Sequence, residues 1–177
     1  MKKLALLAVV GLLLFACKQG ETRYTQSSPE IDTFKALVDA YEAADWKTYT
    51  SKFADTAKVY HNSDDKAMTP AETVETHKQN TAALSSYGFD DEKGDMEMVV
   101  TDKGETWVNF WGVWNATIAS NGQKLMIPVH VTAQFVDGKV VKEYGYWDNA
   151  PLMKAMEAAA AAAEAAEDET DVTDTSD

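Results

Sequence analysis

Asp148 follows the aromatic run Tyr144, Tyr146 and Trp147, and that pairing is the chain's first candidate for chemistry. A carboxyl group held among rings is disfavoured in its charged form, so its pKa rises and it can exchange protons near neutral pH. Asp148 is thus a candidate catalytic acid or base. His77 is its candidate catalytic partner, because histidine is the side chain readiest to move protons near neutrality. Each has a plainer reading: Asp148, followed by Asn149, Ala150 and Pro151, suits a helix cap, and His77 suits a core histidine with its hydrogen bonds met. Tyr60 and His61 end a short strand, and one of the two faces inward. The three histidines form no His-x-x-x-His pair and have no cysteine partner, which argues against structural zinc. With no phosphate-cradling glycine loop, no exposed serine motif and no basic stretch, nucleotide chemistry is unsupported and no cofactor is implied.

These side chains depend on elements with well-marked ends. Ser28-Pro29 caps and opens a helix whose apolar spacing, Ile31, Phe34, Leu37, Val38 and Tyr41, runs to about Ala44. Asp45 caps a short second helix presenting Trp46, Tyr49 and Phe53, and Ala57 to Asn62 reads as a strand. Thr69-Pro70-Ala71-Glu72 is a capping box opening a third helix with the stripe Val74, His77, Thr81 and Leu84, which ends over Ser85 to Gly88. From Phe89 the period changes to two. A strand region to Thr101, interrupted by charges from Asp90 to Asp95, turns at Thr101-Asp102-Lys103-Gly104 into a long strand from Glu105 to Ser120.

Asn121-Gly122 and Asp137-Gly138 then mark hairpins. Two-residue turns at both would pair Ser120 with Gln123 and Val136 with Lys139. One sheet face then carries Phe110, Trp114, Ala116, Ile127, Val129, Val131, Ala133, Phe135, Val140, Tyr144, Tyr146 and Asp148. The other carries Asn109, Trp111, Asn115, His130, Thr132, Gln134, Glu143 and Trp147. The first must face the helices, which makes Phe110, Trp114, Tyr144 and Tyr146 candidate ligand-binding residues together with Tyr60 or His61. Trp111, His130 and Glu143, aromatic and polar groups turned away from the helices, form a candidate interface for a second copy. A bulge in the long strand would slip these assignments on one side of it.

The ends of the chain carry different information. Met1-Lys2-Lys3, an apolar run from Leu4 to Phe15 and then Ala16-Cys17 describe a secretion signal too short to span a bilayer. The segment resembles the bacterial lipoprotein signal, with Leu14, Ala16 and Cys17 where its lipobox needs them. The resemblance implies cleavage after residue 16, lipidation of Cys17 and a protein anchored in the cell envelope. Losing residues 1 to 16 removes two lysines and no acids and moves the formal charge from −13 to −15. Such an acidic surface argues against nucleic acid or anionic lipid as a partner, leaving the lipid as the membrane contact. Residues 17–28 read as a tether, 29–156 as one domain, and 157–177 as an alanine-rich helix and an acidic tail without a core to bury.

The order of helix, short helix, strand, capped helix and antiparallel meander resembles the NTF2-like (SnoaL-like) superfamily. Ala40-Tyr41-Glu42-Ala43-Ala44-Asp45-Trp46, Phe53-Ala54-Asp55, Val59-Tyr60-His61-Asn62 and Asp137-Gly138-Lys139-Val140-Val141 leading to Tyr146-Trp147-Asp148 carry that likeness. The resemblance implies an α+β cone in which N-terminal helices pack on a strongly bent antiparallel sheet around a pocket, with Asp148, Tyr60 and His61 at positions that often line it. Three functions fit: binding of a small apolar molecule, acid–base catalysis of isomerase, cyclase or hydratase type through Asp148, or a non-catalytic dimeric module of the envelope.

Overall fold

The computed structural model describes residues 23–90 and 94–173, with side chains as far as residue 162. Cys17, the signal and the start of the tether lie outside the described residues. In chain order the elements are β1 (Tyr24–Thr25), α1 (Pro29–Glu42), α2 (Trp46–Ser51), β2 (Phe53–His61), α3 (Pro70–Thr81) and β3 (Leu84–Phe89), followed by β4 (Asp95–Val100), β5 (Thr106–Ile118), β6 (Lys124–Val136), β7 (Lys139–Trp147) and α4 (Ala150–Thr173).

The helix starts are where capping chemistry puts them. Ser28 accepts from the Ile31 amide, Asp45 from the Thr48 amide at 3.0 Å, and Thr69 and Glu72 cap each other reciprocally. α1 buries Ile31, Phe34, Leu37 and Ala40 against the sheet, and Ala44 reverses the chain at a φ of 52°. Phe53 is not in the second helix as expected: it opens β2, because Lys52 closes α2 and Phe53 pairs with Val140. Leu84 likewise belongs to β3 rather than to the third helix, since the segment from Leu84 to Phe89 pairs with Ile118 to Trp114 of β5.

The fold is α+β with a mixed seven-stranded sheet in the order β1-β4-β5-β6-β7-β2, and β3 beside β4 along the same edge of β5. All pairs are antiparallel except β2 with β7, which run parallel. The ordered body begins ahead of Ser28: Tyr24 and Thr25 pair with Val99 and Met98, and Arg23 meets Asp102 at 2.7 Å. At the other end α4 docks Leu152 and Ala155 against Trp114, Ile118, Leu125 and Ile127, then continues through the alanines to Thr173. Alanine's high helix propensity favours the stretch from Ala158 to Ala166. Among the described residues no helix is long and apolar enough to cross a membrane.

Two hairpins set the faces of the sheet. Asp137 and Gly138, at φ of 50° and 72°, form the expected two-residue turn between Val136 and Lys139. The Asn121-Gly122 turn is longer than expected: Ile118 pairs with Gln123, and the Gly122 amide donates back to the Ile118 carbonyl at 2.9 Å. Trp111 therefore stands opposite His130 rather than Thr132. The slip is an even number of residues, so every side chain of β5 and β6 keeps its assigned face.

Candidate functional site

Between α1, α3, the start of α4 and the inner face of the sheet lies a cavity of about 110 Å³. Phe34, Leu37, Val38 and Tyr41 enter it from α1, Tyr49 from α2, His77 and Asn80 from α3, and Asn149 and Leu152 from the start of α4. The sheet contributes His61, Phe89, Phe110, Trp114, Ile127, Val129, Val131, Glu143 and Trp147. Phe110 and Trp114 are thus where the alternation of β5 put them. A well-packed interior holds few voids larger than a water molecule, and this one exceeds that size.

Polar groups collect at one part of the cavity. Tyr49 Oη and His77 Nε2 are in hydrogen-bonding contact at 3.3 Å, and His61 Nε2 lies 3.9 Å from Glu143 Oε1. Glu143 is only 4% exposed, and its Oε2 has no hydrogen-bond partner. Rings surround the histidines: His77 packs against Tyr41 at 4.9 Å and His61 at 5.5 Å, and His61 sits edge-on to Trp147 at 4.9 Å. Burial, reinforced by His61, pulls His77 down from 6.5 to about 3, so its imidazole is neutral at physiological pH. Burial and then the nearby Glu143 carboxylate push the Tyr49 phenol well above its usual value of 10, so it keeps its proton. Tyr41 is raised by burial as well, against a lowering by the Trp114 indole, which donates to its oxygen at 3.0 Å. The cluster therefore offers two protonated phenols, a neutral imidazole and a carboxylate: groups able to orient a polar end or to pass a proton.

Asp148 is not part of this cluster, and that corrects its expected placement. It is exposed, and its Oδ1 accepts from the Ala150 amide at 2.9 Å, the helix-capping alternative. The cause is a bulge at Val141. Val136 and Phe135 pair with Lys139 and Val140, but Gln134 then pairs with Lys142, so one extra residue separates the two halves of β7. Beyond it every side chain changes face. Glu143 and Trp147, expected outside, turn into the cavity; Tyr144 and Tyr146, expected inside as ligand-binding residues, turn out. The two candidates at the end of β2 separate the same way. His61 continues the inward series Ala57 and Val59, whereas Tyr60 stacks on Tyr144 at 4.8 Å on the outer face. Glu143 therefore leaves the candidate interface, where Trp111 and His130 remain, stacked at 4.9 Å with Trp111 43% exposed.

Sequence reasoning missed Glu143, Tyr49 and Trp147. A signal for the first was present. An unbroken alternation along β7 would have put Lys142 between Val140 and Tyr144 on the face toward the helices, and a lysine there has no reason to be buried. The adjacent pair Val140-Val141 marks where the period breaks. Among the described residues no group of histidine, cysteine and carboxylate side chains could hold a metal ion.

No family model and no curated protein matches the sequence. Solved structures do. The chain is similar to a protein described as a polyketide cyclase from Xanthomonas campestris pv. campestris, with 14% identity and a TM-score of 0.57 over 70% of this chain and 93% of that one. It is similar to a protein from Shewanella denitrificans OS-217 described as a SnoaL-like polyketide cyclase, with 12% identity and a TM-score of 0.57 over 75% and 99%. IdmH from Streptomyces antibioticus, also described as a polyketide cyclase, shares 16% identity at a TM-score of 0.57 over 74% and 99%. Likeness at these identities establishes the fold: this chain has the NTF2-like, SnoaL-like α+β architecture.

Proposed function

We propose that this protein is a lipid-anchored, extracytoplasmic domain that binds a small, largely apolar molecule in the cavity between α1, α3 and the sheet. The carrying observation is a pocket whose walls are apolar and aromatic and whose polar groups converge at Tyr49, His61, His77 and Glu143. Ligand sites are built this way: apolar area supplies affinity and a few placed polar groups fix orientation. The lipid at Cys17 supplies the membrane contact, and the exposed Trp111 and His130 face is the surface for a second copy.

Ligand-observed NMR with benzene and pyrrole as probes tests the pocket. Both are expected to bind, and Val129→Phe, which adds a ring to the wall, is expected to weaken them by roughly tenfold or more. Asp148→Asn is expected to leave binding unchanged, since that side chain caps α4 in solvent. Binding that ignores Val129→Phe would place the probes elsewhere and end this reading.

A second reading is favoured by the same cluster. The buried Glu143 carboxylate, in the role first given to Asp148, would take a proton from a carbon beside a carbonyl. Tyr49 or His77 would then donate to the developing oxyanion, as in isomerase, cyclase or hydratase chemistry.

A further inference from the structure

We infer that the molecule held in this cavity is a small organic cation, an alkylammonium whose charged end docks at Glu143; the inference rests on the cavity-binding reading above. A carboxylate removed from water is costly unless it is paired, and Glu143 is 4% exposed with one oxygen unpartnered. Its nearest basic neighbour, His61, stands 3.9 Å from the other oxygen, beyond hydrogen-bonding distance. Among the described residues no lysine or arginine lines the cavity, so the long contact to His61 is the carboxylate's one basic partner there. His77 stays neutral and does not fill that role. A ligand bringing a positive charge supplies what the site lacks.

Three further features select the same chemistry. The rings of Tyr41, Tyr49, Trp114 and Trp147 share the cavity with the carboxylate, and aromatic rings attract cations through their quadrupole. The chain's formal charge of −13 draws cations toward it and repels anions. A volume of about 110 Å³ lies somewhat below that of a cavity known to admit benzene, which limits the guest to roughly four to six heavy atoms. A neutral alcohol of that size can offer Glu143 a hydrogen bond but leaves its charge uncompensated.

n-Butylammonium and n-butanol, equal in heavy atoms and different in charge, decide the matter when titrated against the full chain at pH 7, with benzene as the competitor. The ammonium is expected to bind about tenfold or more tightly than the alcohol, to be displaced by benzene, and to lose its advantage in Glu143→Gln. Should the alcohol bind as well as the ammonium, the cation is wrong and the apolar pocket survives. Should the ammonium bind without being displaced by benzene, it sits on the acidic surface and the inference fails. If neither these probes nor benzene bind, the cavity reading falls with it. Circular dichroism shows whether Glu143→Gln folds; if it does not, the comparison on the unaltered chain still gives the answer.

Discussion

Phe34→Ala is expected to lower the free energy of unfolding by about 3–5 kcal/mol. Phe34 is 1% exposed on the buried stripe of α1, and its ring lies 5.9 Å from that of Phe110 in β5. It also forms part of the cavity wall, and this decides where in the range the cost falls. The cost of a large-to-small substitution grows with the void left behind, because surrounding groups relax only in part. Here the deleted ring would open onto space that already exists, between a helix and a sheet, and neither element can close over it without losing its own packing. In a chain of this size each kcal/mol corresponds to roughly 2–4 °C, so the melting temperature should fall by about 10 °C. Met126→Ala, at a side chain 62% exposed, is the control and should stay within about 0.5 kcal/mol. A loss below about 1 kcal/mol for Phe34→Ala in urea denaturation would mean that the core does not rest on this helix.

Much of this architecture is legible along the chain because short-range chemistry fixes it. Ser28, Asp45 and Thr69 cap their helices through backbone amides three residues away, and Asp137-Gly138 turns in the two residues that a primed turn requires. The inward faces of β5 and β6 follow from a period of two, which the longer Asn121-Gly122 loop did not disturb because its slip was even. The site was less legible, and for a single reason. Its decisive carboxylate lies past a bulge, and a bulge is a long-range compromise between β6 and β7 that no residue in β7 announces alone. One extra residue at Val141 exchanged Glu143 for Asp148 and Trp147 for Tyr146. The parallel pairing of β2 with β7 was equally hidden, since it depends on where α1 and α2 return the chain. His77 was legible as an inward residue, but its partners Tyr49 and His61 come from other elements and only the assembled fold brings them together.

Acid should weaken the fold through His77 before the helix-capping carboxylates Asp45 and Glu72 respond. In the folded protein burial, and then the second histidine at position 61, hold the His77 imidazole at about 3, against 6.5 when it is free. Above pH 6.5 neither state carries the proton and the residue contributes no slope. Between 6.5 and about 3 the unfolded chain binds a proton that the folded one refuses, so stability falls as pH falls, by about 1.4 kcal/mol per unit. The helix-capping carboxylates Asp45 and Glu72 are lowered by hydrogen bonds to Thr48 and Thr69, so they act in the same direction but below their ordinary values of 3.8 and 4.5. The window from pH 6.5 to 5 thus separates His77 from those two carboxylates. Over it the protein should lose about 2 kcal/mol by urea denaturation. His77→Gln keeps a hydrogen-bonding group beside Tyr49 but cannot titrate, and its stability curve should be shallower by close to one proton. Parallel curves for the two proteins would show that water reaches this imidazole freely. The cavity would then be an open cleft, and the ring-lined enclosure on which ligand binding, proton transfer and cation capture all depend would not exist.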